Sequence, residues 1–266
     1  MTDRIKKERI WELDFLRGFA IIMMIFDHFM FDLSYFPRYF SNFYDLDLEL
    51  FNWLQENAVL YWNSVLRFFG RHFFVFIFLF VSGISFTFSK NNFKRGIKML
   101  VIAVIISLGT LLMDSVLGYD VLIIFGVIHM FAVNTLITAF IRKWIKNETV
   151  ILFIGMLVLT ISFIFGFFEP TSVALTWGNL PGIIIGLKSF GSDYFGILPY
   201  LGFIIIGTVI GNIFYKNRVS LFPQKKFSQN NVILLTGRYS LWVYVLHQPL
   251  VLGVVMMIAY LFGYRI

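Results

Sequence analysis

The chain contains no cysteine, and only 14% of its 266 residues are charged. The first absence excludes disulfides and thiolate chemistry. The second excludes an ordinary soluble domain, where about a quarter of residues carry charge. Histidine is scarce as well, with four residues, so each one is a marked position. What fills the gap is apolar: hydrophobic residues make up 59%, Phe alone contributes 34, and the mean hydropathy is +0.80. These values define an integral membrane protein, all-α and polytopic. Basic residues outnumber acidic ones by 22 to 15. The resulting net charge of +7 does not indicate a nucleic-acid partner, because the basic residues cluster in short loops beside apolar runs.

Seven apolar runs are expected to span, at about 13–36, 68–88, 96–114, 121–141, 149–168, 195–215 and 232–262. Arg4, Lys6, Lys7 and Arg9 precede the first. Lys90, Lys94, Arg95 and Lys98 follow the second, Arg142, Lys143 and Lys146 the fourth, and Lys216, Arg218, Lys225 and Lys226 the sixth. The other connections are poor in Lys and Arg, and the first carries Asp45, Asp47, Glu49 and Glu56. Every second connection is thus basic. This places the N-terminus in the cytoplasm and the C-terminus outside a cell membrane. The first run has no small-residue cleavage site after it and is expected to be a retained span. Residues 1–266 are expected to form a single transmembrane domain.

Two stretches fall outside that scheme. Leu48 to Phe69 mixes Trp53, Tyr61 and Trp62 with apolar residues, which predicts an amphipathic helix at the outer interface. Residues 171–190 are apolar but broken by Gly178, Pro181, Gly182 and Gly186, which predicts a re-entrant or cavity-lining segment. No internal repeat is visible.

The first span carries the costliest residues. Arg17 and His28 lie in the otherwise greasy run LDFLRGFAIIMMIFDHFMFDLSYF, Leu13 to Phe36. Ionisable groups inside a span are rare and usually serve a site. Eleven residues at about 100° each return close to the same face, with a rise of roughly 16 Å. Asp14 precedes Arg17 by three and can pair with it, and Asp32 follows His28 by four and can orient its ring. Asp27 points roughly 80° away from that stripe. For Arg17 or His28 alone, a snorkelling cation or a hydrogen-bonded core imidazole is an equal alternative. The four residues together favour a site.

Further polar groups enter from the outer side: Arg71 and His72 on the second span, Asp114 on the third and His129 on the fourth. No two histidines sit at ligand spacing on one element, so a metal site is not expected. At the inner surface Ser89, Lys90, Asn91, Asn92, Lys94, Arg95 and Lys98 form a donor-rich turn, and Arg17 and Arg238 begin their spans from the same side. Such a group could bind phosphates, set topology or hold anionic lipid.

The run LDFLRGFAIIMMIFDH resembles the first-span motif of the transmembrane acyltransferase superfamily, an Arg followed eleven residues later by a His. FLFVSGISFTFSKNNFKRGIK (78–98), FGVIHM (125–130), SDYFGILPYLG (192–202) and GRYSLWVYVLHQPL (237–250) resemble the branch related to the catalytic domain of heparan-alpha-glucosaminide N-acetyltransferase. The resemblance implies acyl transfer across a membrane, from cytoplasmic acyl-CoA, typically acetyl-CoA, to an amine or hydroxyl of a sugar on the other side. It implies His28 as the catalytic residue; beside it, Asp32 by its spacing and Arg71 by its position are the candidates to orient the ring and to donate to the oxyanion. It also implies Arg17 as a ligand of CoA; Asp14, Ser89, Lys94, Arg95 and Arg238 are by position the candidates to support it. His72, His129, Asp193, Tyr194 and His247 are the candidates for the acceptor site. The expected partners are acyl-CoA, a sugar or glycan and the bilayer, with a homodimer admitted. A proton-coupled transporter is the alternative reading, since buried Asp, Arg and His also form proton relays. A lipid-binding scaffold would leave the Arg17/His28 stripe without a use.

Overall fold

Apolar helices dominate the computed structural model, which describes residues 9–117, 121–191, 193–224 and 230–266. It is 72% helical. The expected basic residues Arg4, Lys6, Lys7, Lys225 and Lys226 lie outside the described residues.

Helices form where each span was expected: α1 (Trp11–Ser34), then, after the short α2 (Phe36–Tyr39), α3 (Phe43–Leu46) and α4 (Glu49–Trp62), α5 (Val65–Phe86). α6 (Asn92–Leu117), α7 (Val127–Trp144) and α8 (Glu148–Ile164) follow, then the six-residue α9 (Leu180–Ile185), α10 (Tyr200–Phe214), α11 (Val232–Arg238) and α12 (Ser240–Leu261). Three of them, α5, α6 and α12, are both long and apolar enough to cross a membrane, and α8 and α10 are shorter apolar helices. α1 is long enough, with 24 residues, but carries Glu12, Asp14, Arg17, Asp27 and Asp32. Exposed side chains on α6 include Val101, Val104, Ile105, Leu108, Leu111 and Leu112, a face suited to lipid.

Local chemistry sets the boundaries. Asn147 and Asn231 cap α8 and α11 by accepting from the first free backbone amides. α10 begins only at Tyr200 because Pro199 bars the residue before it from helical conformation. α4 ends at Trp62 and α5 starts at Val65, so α4 is shorter than the helix expected over 48–69 and α5 begins earlier than the expected second span. The last expected span is two helices, α11 and α12, that meet at Tyr239. Residues 171–190 make no span: α9 rises roughly 9 Å against a hydrocarbon core of about 30 Å. It sits between two-residue strands β1 (Thr171–Ser172) and β2 (Lys188–Ser189), which pair in parallel, Thr171 with Lys188.

Two compact units emerge. The first comprises the described part of Met1–Phe78 together with Val219–Ile266. In it α1 packs on α4, α11 and α12. Beyond the C-terminal end of α1 lies an aromatic core of Phe36, Phe40, Phe43, Phe51 and Tyr264, with Phe51 and Tyr264 ring centroids 4.9 Å apart. Asn42 fastens the last residues there, accepting from Arg265 N–H at 2.7 Å and donating to Gly263 O at 3.1 Å.

The second unit, Leu79–Arg218, packs α6 on α7 and α10 on both α7 and α8. Its helices cross at small residues. A Cβ on Gly83 would strike the Ile204 carbonyl, and one on Gly207 the Phe80 carbonyl, so both positions admit only glycine at this separation. Ile151, Leu201, Ile205 and Val209 fill the α8–α10 seam.

Candidate active site

The N-terminal end of α1 is built on a backbone-to-backbone crossing. A Cβ on Gly18 would overlap the Ile233 carbonyl, and one on Gly237 would overlap the Asp14 carbonyl. This approach brings Arg238 and the Gly237 carbonyl to Asp14 and Arg17. Arg17 Nη1 donates to Gly237 O at 3.3 Å and to Asp14 Oδ1 at 3.4 Å. Arg238 Nε lies 3.6 Å and Arg9 Nη1 3.7 Å from Asp14 Oδ2. One carboxylate therefore gathers three guanidinium groups, and the cluster keeps an excess of positive charge. Asp14, Arg17 and Arg238, expected from sequence as separate contributors, form one cluster. Glu12, next to it, is spent on structure: it accepts from Leu221 N–H and Ser220 Oγ, both at 2.7 Å.

Further along α1, His28 faces α12. Its ring meets that of His247 edge to face, with centroids 4.8 Å apart. His28 Nδ1 lies 2.9 Å from Met24 O, and His247 Nδ1 lies 2.6 Å from Tyr244 O. A carbonyl only accepts, so in both rings Nδ1 carries a proton, and in the neutral ring Nε2 carries the lone pair. This is the tautomer a general base requires at Nε2. The expectation that Asp32 orients His28 is not met. Asp32 is fully buried and accepts both contacts, 3.0 and 3.2 Å, from Gln248 Nε2. The reason is geometric: the Met24 carbonyl, one turn back, already takes the Nδ1 proton. Asp32 instead ties α1 to the residue after His247. Pro249 follows directly and cannot donate to the Val245 carbonyl, so α12 lacks one backbone hydrogen bond beside the site.

One pair was missed at the sequence level. Asp27, set off the stripe, receives Arg67 Nε at 2.8 Å and Nη2 at 3.2 Å in a two-pronged contact. Tyr61 O–H donates to the same carboxylate at 3.1 Å. Burial, and then the Asp27 charge, push the Tyr61 hydroxyl up to about 12, so it stays a donor. The Arg67 guanidinium also lies over the Trp62 ring, 3.3 Å from its centroid. The available signal was the cost of an unpartnered carboxylate on a membrane helix, which demands a cation nearby.

Arg71 and His72 sit half-buried on α5 in the same unit. His72 is partly committed locally, with Nδ1 donating to Phe68 O at 2.7 Å and its ring against Phe68.

The remaining expected site residues belong to the second unit. His129 caps its own helix: Nδ1 accepts from Gly126 N–H at 3.3 Å and Nε2 lies 3.0 Å from Ser107 Oγ. Ser107 in turn donates to Ile123 O at 2.7 Å. Both ring nitrogens are engaged, so His129 serves the fold of 123–129 and offers no lone pair to an acceptor. The Asp193 carboxylate abuts Gly126, where only glycine leaves room for it, and Tyr194 O–H donates to Ile183 O at 2.8 Å. Asp114, expected at the outer end of its span, accepts from Val121 N–H at 3.1 Å. Ser89, Lys94 and Arg95 lie where α6 begins; Asn91 caps it by accepting from Lys94 N–H at 2.8 Å, and Arg95 lies over the Phe131 ring.

The apolar helices, with a paired-histidine, arginine-rich stripe along α1, define an all-α membrane protein. The chain belongs to the family of the catalytic domain of heparan-alpha-glucosaminide N-acetyltransferase, whose family model matches residues 9–249. No curated protein and no solved structure matches it. Membership in this family makes the chain a membrane acyltransferase in general terms.

Proposed function

We propose that the protein moves an acyl group, acetyl in the first instance, from cytoplasmic acyl-CoA to an amine or hydroxyl of a sugar or glycan on the far side of the cell membrane. The observation that carries this reading is the pair His28 and His247, whose rings meet at 4.8 Å, with each Nδ1–H held by a carbonyl and Nε2 the basic nitrogen of the neutral ring. A nucleophilic amine or hydroxyl must lose a proton as it attacks a thioester. A positioned imidazole contributes about a hundred- to ten-thousand-fold there.

In direct transfer, the acceptor N or O forms a bond to the thioester carbonyl carbon and the carbon–sulfur bond breaks. The acceptor's proton passes to His28 Nε2 and from there to the departing CoA thiolate. In the two-step form, His28 Nε2 bonds to the thioester carbonyl carbon and the CoA thiolate leaves; the acceptor N or O then attacks that carbon, the bond to Nε2 breaks, and the acceptor's proton goes to the CoA thiolate. Arg71 is the proposed donor to the oxyanion in either case. Asp32 acts by holding Gln248, and with it the turn of α12 that bears His247.

Arg17 lies roughly 16 Å from His28 along α1 and belongs to the positive cluster on Asp14. That cluster, with Arg238, is suited to the phosphates of CoA. Ser89, Lys94 and Arg95 are proposed as further donors to phosphate, and His72, Asp193 and Tyr194 as residues for the acceptor. The test is transfer of labelled acetyl from acetyl-CoA by protein purified in nanodiscs. Binding of acetyl-CoA with loss of transfer in His28→Ala supports the reading. Absence of acetyl-CoA binding, or full transfer by His28→Ala, overturns it.

A further inference from the structure

In the second unit, α8 and α10 are too short to cross a bilayer unaided. Their 17 and 15 residues rise roughly 26 and 22 Å, against about 30 Å of hydrocarbon. The two helices run antiparallel: a Cβ on Gly202 would meet Leu159, and at the other end Asn212 donates to Glu148 at 2.8 Å. That other end is closed by a polar clasp, Arg142 on Glu148 at 2.7 Å. The shortfall in apolar length therefore falls where α8 stops and α10 starts. There Phe163, Ile164 and Phe165 are 79%, 67% and 66% exposed, so surface suited to lipid runs to the very end of α8.

A charge-free excursion begins a few residues later. No Asp, Glu, Lys, Arg or His occurs from 170 to 187. Its helix α9 is docked beside the start of α10: the N–H groups of Ile197 and Leu198 donate to Ile184 O and Ile185 O, each at 2.9 Å, and Tyr194 O–H donates to Ile183 O. Ala174, Leu175, Thr176, Trp177 and Gly178 project ahead of α9 as an exposed turn. Asn179 closes that turn, with Nδ2 donating to Ala174 O at 2.8 Å and its N–H to Thr176 O at 3.0 Å. Lys188, the first cation after the run, turns its Nζ back onto Asn179 Oδ1 at 2.7 Å and lays its stem along Gly182. The frame thus presents no charge. It holds Trp177 90% exposed, with Leu175, Ile184, Ile185 and Leu187 also exposed. A braced turn that offered these side chains to water would forgo their burial. An indole, apolar in body and polar at N–H, suits the boundary between headgroups and hydrocarbon.

We propose that residues 174–187 are an interfacial anchor: Trp177 and the exposed side of α9 sit in the lipid headgroup boundary and supply the apolar thickness that α8 and α10 lack. The partner is the lipid surface itself. Two observations select it over a protein partner: the anchor continues the lipid-suited end of α8, and its position coincides with the missing length of two apolar helices. With no cation in the run, attachment rests on apolar burial and needs no anionic headgroup.

The chain has no cysteine, so a single introduced one carries a nitroxide label without background. Thr176→Cys labels the turn with Trp177 kept, and Lys216→Cys, in the exposed turn after α10, is the aqueous reference. Collisions of each label with oxygen, which concentrates in lipid, and with a water-soluble nickel chelate are read by EPR in nanodiscs of phosphatidylcholine and of phosphatidylglycerol. The expected oxygen-to-nickel ratio at 176 is well above that at 216 and the same in both lipids. Adding Trp177→Ser should lower it toward the reference value. A label at 176 as open to nickel as the one at 216 overturns the anchor. So does a ratio raised only in phosphatidylglycerol, or a label shielded from both reagents and broadened by the label of a second copy, which would make the turn a protein contact. The Thr176→Cys protein keeps Trp177, so its depth reading stands even if Trp177→Ser fails to fold. Nothing here reads turnover, so the outcome is independent of the acyl-transfer reading.

Discussion

His28 and His247 meet edge to face at 4.8 Å, from helices whose residues are more than two hundred positions apart in the chain. Each ring gives its Nδ1 proton to a carbonyl of its own helix. Two imidazoles in one tautomer, at one depth, need not contribute equally.

If His28 is the base or acyl carrier, His28→Ala should lower acetyl transfer about 10²- to 10⁴-fold. His247→Ala should cost less, and mainly through kcat, because it removes the neighbour that fixes the His28 ring. Equal losses in the two variants, or a larger loss in His247→Ala, would reverse the assignment. Initial rates in nanodiscs decide it.

At the N-terminal end of α1, Arg17→Ala should raise KM for acetyl-CoA about 10- to 100-fold, the worth of one charge-assisted hydrogen bond in a protected site. Arg17→Lys should restore little, because a point charge cannot serve Asp14, Gly237 O and a phosphate together. Acceptor KM is the internal control and should move far less.

The clasp of Arg67 on Asp27 is nearly enclosed, with side chains 13% and 16% exposed. Asp27→Ala should therefore lower stability by about 3–5 kcal/mol, since it leaves a guanidinium without its counter-charge. Replacing both residues together, Asp27→Leu with Arg67→Met, should recover much of that loss. Thermal unfolding in detergent reads both variants, and a double variant no more stable than the single one would contradict the reasoning.

Gly18→Ala tests the crossing of α1 and α11. The added methyl has no space beside the Ile233 carbonyl, so the helices must separate, at a cost of about 1–3 kcal/mol or more. Separation also withdraws Gly237 O and Arg238 from Arg17 and Asp14. Loss of acetyl-CoA affinity should accompany the loss of stability. Gly109 and Gly253, where a Cβ meets nothing, should accept alanine with little effect.

Much of the fold was legible in the chain because lipid imposes a simple rule: backbone polar groups must be satisfied within each apolar run, so long runs become helices. The expected spans appear as helices at about the expected positions, and the glycine- and proline-broken stretch 171–190 makes no span. The breaks that were not foreseen, at Tyr239 and between Trp62 and Val65, are local turns within otherwise apolar sequence. Hydropathy averages over such turns.

The sequence by itself determined that α1 carries an ionisable stripe, because charge in an apolar helix is conspicuous and helical period places Arg17 and His28 on one face. Tertiary structure alone decided the partners. Asp32 went to Gln248 rather than His28, Asp27 found Arg67, and His129 turned back on its own helix terminus. Spacing along one helix says which groups share a face. It cannot say which distant segment supplies the opposing donor, and a buried polar group is satisfied by whichever donor packing brings within about 3 Å.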